Sequence, residues 1–257
     1  MERQPGAVIT IDGAVVAFRD NVALRGVSLR VMPGEFIGII GPNGAGKTTL
    51  LTLVNGLRTP TRGSVSVLGH DMASNGRHQV RRLIGYVPQV SRLDERMPMT
   101  VRDVVMIGRY GVLGLFRHPG RRDWQIVDQV LEQVGMAHLA RRPIGHLSGG
   151  ERQKVAIARC LAQEPGILLL DEPVASLDWR AQEEVLCLVS RIHAERHLTI
   201  LLVTHDLRAL PVDCDRALLV KDGLIWGEGT PAEVFTDDRL ASLYGMPLAA
   251  VARRRGA

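Results

Sequence analysis

The chain has 257 residues, of which 46% are hydrophobic and 23% are charged. This is ordinary globular composition, which excludes a disordered chain, and no window approaches the roughly 20 apolar residues of a bilayer-spanning helix. The net charge is +5, but aromatic residues make up 4% of the chain and do not alternate with its basic clusters, so the sequence argues against a nucleic-acid partner.

The N-terminus and the cysteines indicate a cytosolic protein. The first six residues lack the apolar segment of a secretory signal. Cys160, Cys187 and Cys214 lie far apart, so neither a disulfide nor a zinc framework is expected. We expect the protein to stay in the cytosol unless a partner holds it at a membrane.

Short β-rich runs separated by turns fill the first ninety or so residues. The run 36–40 is apolar throughout, which is typical of a strand buried on both faces in a parallel sheet. The predicted strands span 8–11, 14–18, 27–31, 36–40 and 64–68.

The pattern becomes helical between about residues 98 and 142, and then alternates. One face of segment 123–134 carries Trp124, Val127, Val130, Leu131 and Val134. After Ser148 the order is helix, strand, helix, strand, at 149–163, 167–170, 181–195 and 199–203. This alternation predicts a parallel sheet with crossover helices, into which the middle stretch is inserted as a helical subdomain.

Residues 41–48 match the phosphate-binding pattern G-x-x-x-x-G-K-[ST] in full. The run follows the buried strand and opens an apolar helix, which is the context that the motif needs. Its glycines let consecutive N–H groups turn inward around a phosphate. Lys47 would reach the β- and γ-phosphates, and Thr48 would offer a hydroxyl to Mg²⁺. The alternative, a glycine-rich turn with a surface lysine, would explain neither the buried strand before the run nor the apolar helix after it.

A second apolar strand, 167–170, ends in Asp171 and Glu172. At the carboxyl edge of a parallel sheet, Asp171 would hold Mg²⁺ through water, and Glu172 would orient or deprotonate the attacking water. Two carboxylates after a strand are weak evidence alone, because they can be a solvated strand end. Together with the phosphate-binding loop they predict ATP hydrolysis.

The run Leu147-Ser148-Gly149-Gly150-Glu151 opens a helix that Ser148 can cap, and its glycines allow close approach to an anion. The domain already has one phosphate-binding loop, so a second anion-binding loop must serve a different purpose. We infer that this loop covers the γ-phosphate held by a different copy of the chain, with ATP between the two copies.

At this point the sequence resembles the ATP-binding cassette (ABC) family over nearly its whole length, and the Leu-Ser-Gly-Gly run resembles its signature motif. The other matching motifs are Gln89 after Tyr86-Val87-Pro88 (the Q-loop), Ala175-Ser176-Leu177-Asp178 (the D-loop), His205 (the switch histidine) and Phe18, where an aromatic ring usually stacks on adenine. Two residues depart from the family pattern. Glu151 stands where Gln is commoner, and Trp179 stands where Pro usually follows the D-loop.

The resemblance implies an α/β fold: a P-loop NTPase core with a parallel sheet, an N-terminal antiparallel β subdomain and an inserted helical subdomain. The chain 1–257 would be a single nucleotide-binding domain, with the insert at about 90–160 carrying the signature motif. The implied ligands are ATP and Mg²⁺, with Thr48, Gln89 and Asp171 holding the metal. The implied catalytic residues are Glu172, His205 and Gln89. The implied nucleotide-binding residues are Phe18, Gly41, Pro42, Asn43, Gly44, Ala45, Gly46, Lys47, Thr48, Thr49, Ser148, Gly149, Gly150 and Asp178.

One cassette without a membrane span is similar to the separately encoded ATPase subunits of bacterial importers and some exporters. The run Gly108-Arg109-Tyr110-Gly111 is similar to the insert of metal and metal-chelate importers, most of all to zinc and manganese uptake ATPases. Iron-siderophore, haem and cobalamin importers are the alternative, and a soluble non-transport cassette ATPase is the alternative of another class. The signature loop disfavours a lone P-loop kinase.

The resemblance also implies partners and a location. The partners would be a second copy of the chain in a head-to-tail ATP sandwich, polytopic permease subunits and an extracytoplasmic solute-binding protein. The chain would sit at the cytoplasmic face of the cell membrane, attached through the permease. His193 and His197, at i and i+4 on a predicted helix, could form half a metal site, but without a third ligand an exposed helical surface is favoured.

Overall fold

The computed structural model describes residues 6–18, 21–74, 76–89, 98–114 and 117–248. Its contacts divide the chain into two compact units. The first unit combines Met1–Val80 with Thr199–Ala257, and the second unit is Arg81–Leu198.

The described strands are β1 (Ile9–Phe18), β2 (Asn21–Val31), β3 (Phe36–Ile40), β4 (Arg62–Val67), β5 (His70–Asp71), β6 (Ile84–Val87), β7 (Ile167–Asp171), β8 (Thr199–Thr204), β9 (Arg216–Lys221) and β10 (Leu224–Gly229). The described α-helices are α1 (Lys47–Val54), α2 (Arg77–Arg81), α3 (Val101–Leu113), α4 (Arg121–Gln133), α5 (Gly149–Leu161), α6 (Trp179–Arg196), α7 (Pro231–Val234) and α8 (Asp237–Tyr244). None of these helices is both long and apolar enough to cross a membrane.

An antiparallel sheet in the order β2-β1-β4-β5 forms the N-terminal part of the first unit. The predicted runs 8–11 and 14–18 are one continuous strand, so the turn expected between them is absent. Instead the register of β1 against β2 shifts between Ile11 and Ala14, and Gly13 has a φ of 55° at that point. A β-bulge at a glycine interrupts the alternation of side chains without ending the strand.

The first unit also contains the strand that precedes the phosphate-binding loop. All five residues of β3 are buried, as predicted from its apolar run. It pairs in parallel with both β8 and β9, with Ile40 opposite Thr204 on one side and opposite Leu219 on the other. The segments that follow β3 and β8 therefore start side by side at the carboxyl edge of the sheet.

Among its described residues, the second unit combines the parallel strands β6 and β7 with the α-helices α3, α4, α5 and α6. Strands β6 and β7 run in register from Ile84↔Ile167 to Val87↔Leu170. The predicted apolar face of α4 is confirmed at Val127, Val130 and Leu131, which are buried. The insert predicted at about 90–160 falls within this unit, but its first residues, 90–97, lie outside the described residues, and its boundaries stay a prediction. The α/β architecture with an antiparallel N-terminal sheet and a helical part confirms the predicted fold class.

Candidate functional site

The loop 41–48 lies in the first unit between β3 and α1, as its sequence predicts. Lys47 is the first residue of α1 and is 6% exposed. Its Nζ donates hydrogen bonds to the carbonyl oxygens of Gly41 and Pro42, at 2.7 and 3.0 Å. A buried ammonium group needs such acceptors. The two carbonyl groups keep the Lys47 ammonium group next to the loop backbone.

Glycines allow this loop to adopt its backbone path. Gly44 and Gly46 have φ angles of 80° and 104°, in the region that L side chains rarely adopt. A Cβ on Gly41 would lie 2.0 Å from the carbonyl oxygen of Val220, and a Cβ on Gly46 would lie 2.6 Å from that of Ala23. The loop thus fits closely against its neighbours. It leads into the N-terminus of α1, where free N–H groups and the helix dipole stabilise an anion.

His205 directly follows β8, just as Gly41 directly follows β3. Because Ile40 and Thr204 are opposite each other in the parallel ladder, the histidine and the start of the phosphate-binding loop are neighbours. The Thr204 hydroxyl accepts from the amide of Asp206 at 3.0 Å, and the His205 carbonyl accepts from the hydroxyl of Tyr244 at 2.9 Å. The first unit therefore brings together two of the predicted phosphate-contacting elements.

Phe18, the predicted adenine-stacking residue, ends β1 and is half-buried. The guanidinium carbon of Arg58 lies 4.2 Å from the centroid of its ring, which is within cation–π distance. Arg58 follows α1 and belongs to no motif, so no sequence pattern predicts this contact.

In the second unit, β7 ends at Asp171, and Glu172 directly follows it. Asp171 is 1% exposed. Its Oδ2 lies 3.4 Å from the hydroxyl of Tyr86 on the neighbouring strand β6, which is long for a hydroxyl–carboxylate hydrogen bond. Burial, with the charge of Asp171 adding to it, raises the pKa of Tyr86 to about 12, so the phenol stays protonated and can donate. In the sequence, Tyr86 was noted only as the start of the Q-loop run. Its contact with Asp171 could have been predicted from its place on a strand that pairs with the strand ending in Asp171.

Gln89 and Glu172 meet at the same edge of this strand pair. The Gln89 side-chain amide donates to Oε2 of Glu172 at 3.0 Å. Glu172 has a φ of 48°, an uncommon conformation for a residue with a Cβ. Strained backbone of this kind concentrates at functional sites. The structure therefore gives the predicted general base both an unusual backbone and a hydrogen-bonded partner that orients its carboxylate.

Ser148 caps α5, as its sequence predicts. The Ser148 hydroxyl accepts from the Glu151 amide at 3.3 Å, and the Glu151 carboxylate accepts from the Ser148 amide at 2.7 Å, which is a complete capping box. The two glycines between them serve packing. A Cβ on Gly150 would lie 2.9 Å from the Cβ of Ala181, and a Cβ on Gly149 would lie 3.2 Å from the side chain of Leu177.

The signature run and the D-loop residue Asp178 line one pocket within the second unit. Asp178 caps α6 by accepting from the Ala181 amide at 2.9 Å. The pocket has a volume of about 290 Å³, and its lining combines both motifs with charged residues of α5 and α6, including Ser148, Gly150, Glu151, Lys154, Asp178 and Arg180. Two motifs that are separated by some thirty residues in the sequence thus share one surface.

The predicted ligands of Mg²⁺ have suitable chemistry. A hydroxyl, an amide oxygen and a carboxylate are hard oxygen donors of the kind Mg²⁺ prefers. Asp171 is almost fully buried at the end of β7, where an ionised carboxylate requires compensating charge or hydrogen bonds. Each of these side chains therefore offers a donor group of the kind that Mg²⁺ accepts.

The histidine pair at the end of α6 has no third described histidine, cysteine, aspartate or glutamate clustered with it. The helix ends at Arg196, and His197 is its C-cap residue with a φ of 50°. Across the described residues, no three histidine, cysteine, aspartate or glutamate side chains cluster as metal ligands.

This chain is similar in sequence to ATP-binding proteins of metal transport systems. The manganese transport system ATP-binding protein MntA of Synechocystis sp. is 36% identical over 238 residues, which are 92% of this chain and 90% of that protein. The zinc transport system ATP-binding protein TroB of Treponema pallidum is 36% identical over 248 residues, 96% of this chain and 91% of that protein.

Solved structures give the same result. An inward-facing metal-chelate type ABC transporter matches with a TM-score of 0.81 and 28% identity, over 94% of this chain and 90% of that one. A dimeric bacterial ABC transporter cassette matches with a TM-score of 0.74 and 28% identity, over 87% of this chain and 98% of that one.

The model of the ABC transporter family matches residues 24–175, which include the phosphate-binding loop, both carboxylates and the signature run. The chain therefore belongs to the ABC transporter family, as an ATP-hydrolysing, nucleotide-binding subunit.

Proposed function

We propose that this subunit drives the uptake of a divalent metal ion, manganese or zinc, through a separate membrane permease. The observation that carries this proposal is the likeness to manganese and zinc transport ATP-binding proteins over 92% and 96% of the chain. The likeness includes the helical segment with Gly108-Arg109-Tyr110-Gly111, which the sequence assigned to the same group. An extracytoplasmic solute-binding protein would deliver the ion to the permease, and the chain would sit at the cytoplasmic face.

Each predicted residue has a task in hydrolysis that suits its surroundings. Lys47 and the backbone N–H groups of the loop, which Pro42 lacks, hold the phosphates, and the ring of Phe18 stacks on the adenine. Glu172 takes a proton from the attacking water, since a fixed carboxylate within reach of a water is a general base. Gln89 orients the carboxylate of Glu172 by a hydrogen bond. His205 contacts the γ-phosphate from the end of β8.

Three residues would hold Mg²⁺: Thr48, Gln89 and, through water, Asp171. The metal neutralises charge on the transferring phosphoryl group when it is bound. The Tyr86 hydroxyl, which lies 3.4 Å from Asp171, would help to keep that carboxylate in position.

A second copy completes each site in this proposal. Ser148 and Gly150 at the N-terminus of α5 would stabilise the γ-phosphate bound by the partner copy, with Gly149 and Asp178 beside them. The dimeric cassette to which this chain is similar supports a dimer, and the head-to-tail arrangement is inferred from the second anion-binding loop at Ser148. Hydrolysis removes the shared anion, so the copies separate and move the permease between its two states.

Glu172→Gln tests the proposed base. We expect this change to lower turnover by at least about a hundredfold, because general-base catalysis contributes about two to four orders of magnitude. ATP binding would be retained, so saturating ATP should trap a stable dimer in gel filtration. Glu132→Gln is the matched control, since it makes the same change at an exposed residue of α4.

The sandwich model would be wrong if Glu172→Gln eluted as a monomer with saturating ATP. The assignment of the base would be wrong if turnover stayed near that of the Glu132→Gln control.

Metal uptake in cells tests the cargo. Cells that carry the wild-type chain or Glu172→Gln would be limited with a chelator and assayed for manganese, zinc and iron accumulation. We expect manganese or zinc accumulation to collapse in the variant and to persist with Glu132→Gln.

Other outcomes select among the alternatives. A fall in iron alone would favour an importer of siderophores or haem. No change in any metal, combined with an intact ATPase, would contradict the metal proposal and favour another cargo or a non-transport cassette.

A further inference from the structure

The C-terminal helix α8 is fixed in the core of the first unit. Leu240 and Leu243 are each 1% exposed and pack in one cluster with Ile40, the last residue of β3, and with Leu219 of β9. The Nζ of Lys221 donates to the Ser242 carbonyl at 2.6 Å. This helix is therefore anchored to the strand that leads into the phosphate-binding loop.

One side chain of α8 reaches the switch histidine. Tyr244, the last residue of the helix, donates its hydroxyl hydrogen to the His205 carbonyl at 2.9 Å. Its ring packs at the edge of the cluster around Leu240 and Leu243, together with Leu207 and Leu210 from the segment after the histidine.

The segment after His205 is held on its other side as well. The amide of Asp206 donates to the Thr204 hydroxyl, and that hydroxyl donates to the Asp206 carbonyl. A Cβ on Gly38 of β3 would lie 2.3 Å from Leu210, so Leu210 occupies the space that this glycine leaves. The backbone at His205 thus lies between contacts to β3 and the hydroxyl from α8.

We propose that Tyr244 is a positioning residue for His205: its hydroxyl fixes the carbonyl of the histidine so that the imidazole is held beside the phosphate-binding loop. The inference rests on the proposed role of His205 at the γ-phosphate. It assigns to the C-terminal helix a part in ATP hydrolysis that no motif marks. In this proposal Tyr244 acts through the backbone of His205 and not on the nucleotide itself.

Tyr244→Phe in the full chain removes this hydrogen bond and keeps the ring. We expect kcat for ATP hydrolysis to fall about two- to tenfold, the effect of a net hydrogen bond, with KM little changed. The affinity for ADP should stay at the wild-type value, because ADP lacks the phosphate that His205 contacts. Tyr110→Phe is the matched control, since it removes a hydroxyl from a half-exposed tyrosine of α3.

Lys221→Met separates positioning from anchoring of the helix. It removes the bond to Ser242 and leaves the Tyr244 hydroxyl in place. We expect it to lower the thermal unfolding temperature and to leave kcat near the Tyr110→Phe value.

Two results would overturn the inference: a kcat for Tyr244→Phe equal to that of Tyr110→Phe, or an equal loss of kcat in Lys221→Met. His205→Ala distinguishes this failure from failure of the proposed function. If His205→Ala keeps full activity, the proposed role of the histidine is wrong. If it is inactive while Tyr244→Phe is normal, only the role of the tyrosine is wrong.

Discussion

Glu151 shows how one residue can depart from a family pattern and keep the local structure. It stands where a glutamine is commoner, and its carboxylate accepts from the Ser148 amide as the second half of the capping box. That hydrogen bond, helped by the Ser148 hydroxyl and the nearby charges of Arg142 and His138, lowers the pKa of the Glu151 carboxyl against the opposing effect of partial burial. A negative charge there also interacts favourably with the N-terminal end of the helix dipole.

Glu151→Ala should lower the free energy of unfolding at pH 7 by about 1 kcal/mol, because a helix cap is worth roughly that much. Glu151→Gln should cost less, since its amide oxygen can still accept from Ser148. Denaturant unfolding of both variants, with Glu132→Ala as a surface control, measures the difference. Equal stability of Glu151→Ala and wild type would show that the box contributes nothing.

The pH dependence of the same variants follows from the sign of the shift. A carboxyl whose folded pKa is depressed stabilises the fold above its unfolded pKa of about 4.3, and that stabilisation is lost as pH falls through the folded value. The stability gap between wild type and Glu151→Gln should therefore be full near neutrality and close on acidification below about pH 4. A gap that stayed constant with pH would exclude a contribution from the charge.

At the scale of elements, the run Gly108-Arg109 of α3 joins three helices of the second unit. Arg109 is 6% exposed, and its Nε donates to Asp123 of α4 at 3.0 Å. Its Nη1 donates to the Ala162 carbonyl at 2.8 Å and to Glu164 at 2.7 Å, just beyond α5. Burial opposes ionisation of Asp123, but the Gly120 amide and the Arg109 guanidinium together hold its pKa below the usual value. Gly108 and Arg109, the first half of the run that resembles metal-importer inserts, therefore serve the packing of these helices.

Gly108→Ala tests how closely α3 and α5 pack. A Cβ at this position would lie 2.0 Å from the carbonyl oxygen of Arg159, and backbone has to move to accept it. We expect a loss of about 1–3 kcal/mol in the free energy of unfolding, typical of overpacking. Gly111→Ala is the control in the same helix, because nothing lies within 4 Å of its added Cβ.

The control should be neutral or stabilising, since alanine favours helix over glycine by up to about 1 kcal/mol. Calorimetric or denaturant unfolding of the two variants gives the comparison. If both alanines stabilise the chain, the close approach of the two helices is not limiting.

At the scale of the whole molecule, the sequence predicted what depends on local signals. The loop 41–48, the carboxylates at the end of β7 and the cap at Ser148 follow from motifs whose chemistry depends on residues that are neighbours in the sequence. The contacts of Arg58 with Phe18 and of Tyr244 with His205 join residues 40 and 39 positions apart (58 − 18 and 244 − 205), and no periodicity signals them. The bulge at Gly13 was also missed, because a break in alternation looks the same as a turn.

Strand β3, which leads into the phosphate-binding loop, takes its partners from the distant end of the polypeptide. It pairs with β8 and β9, and the amide of Phe36 bonds to Asp215, 179 positions later. A ribosome that adds about 5–20 residues per second needs roughly 9 to 36 s to reach those partners. Until then the nascent chain exposes five consecutive apolar residues that have no strand to join. A chaperone that shields this segment during synthesis would prevent aggregation, and the nucleotide gains its binding loop only after most of the chain has been translated.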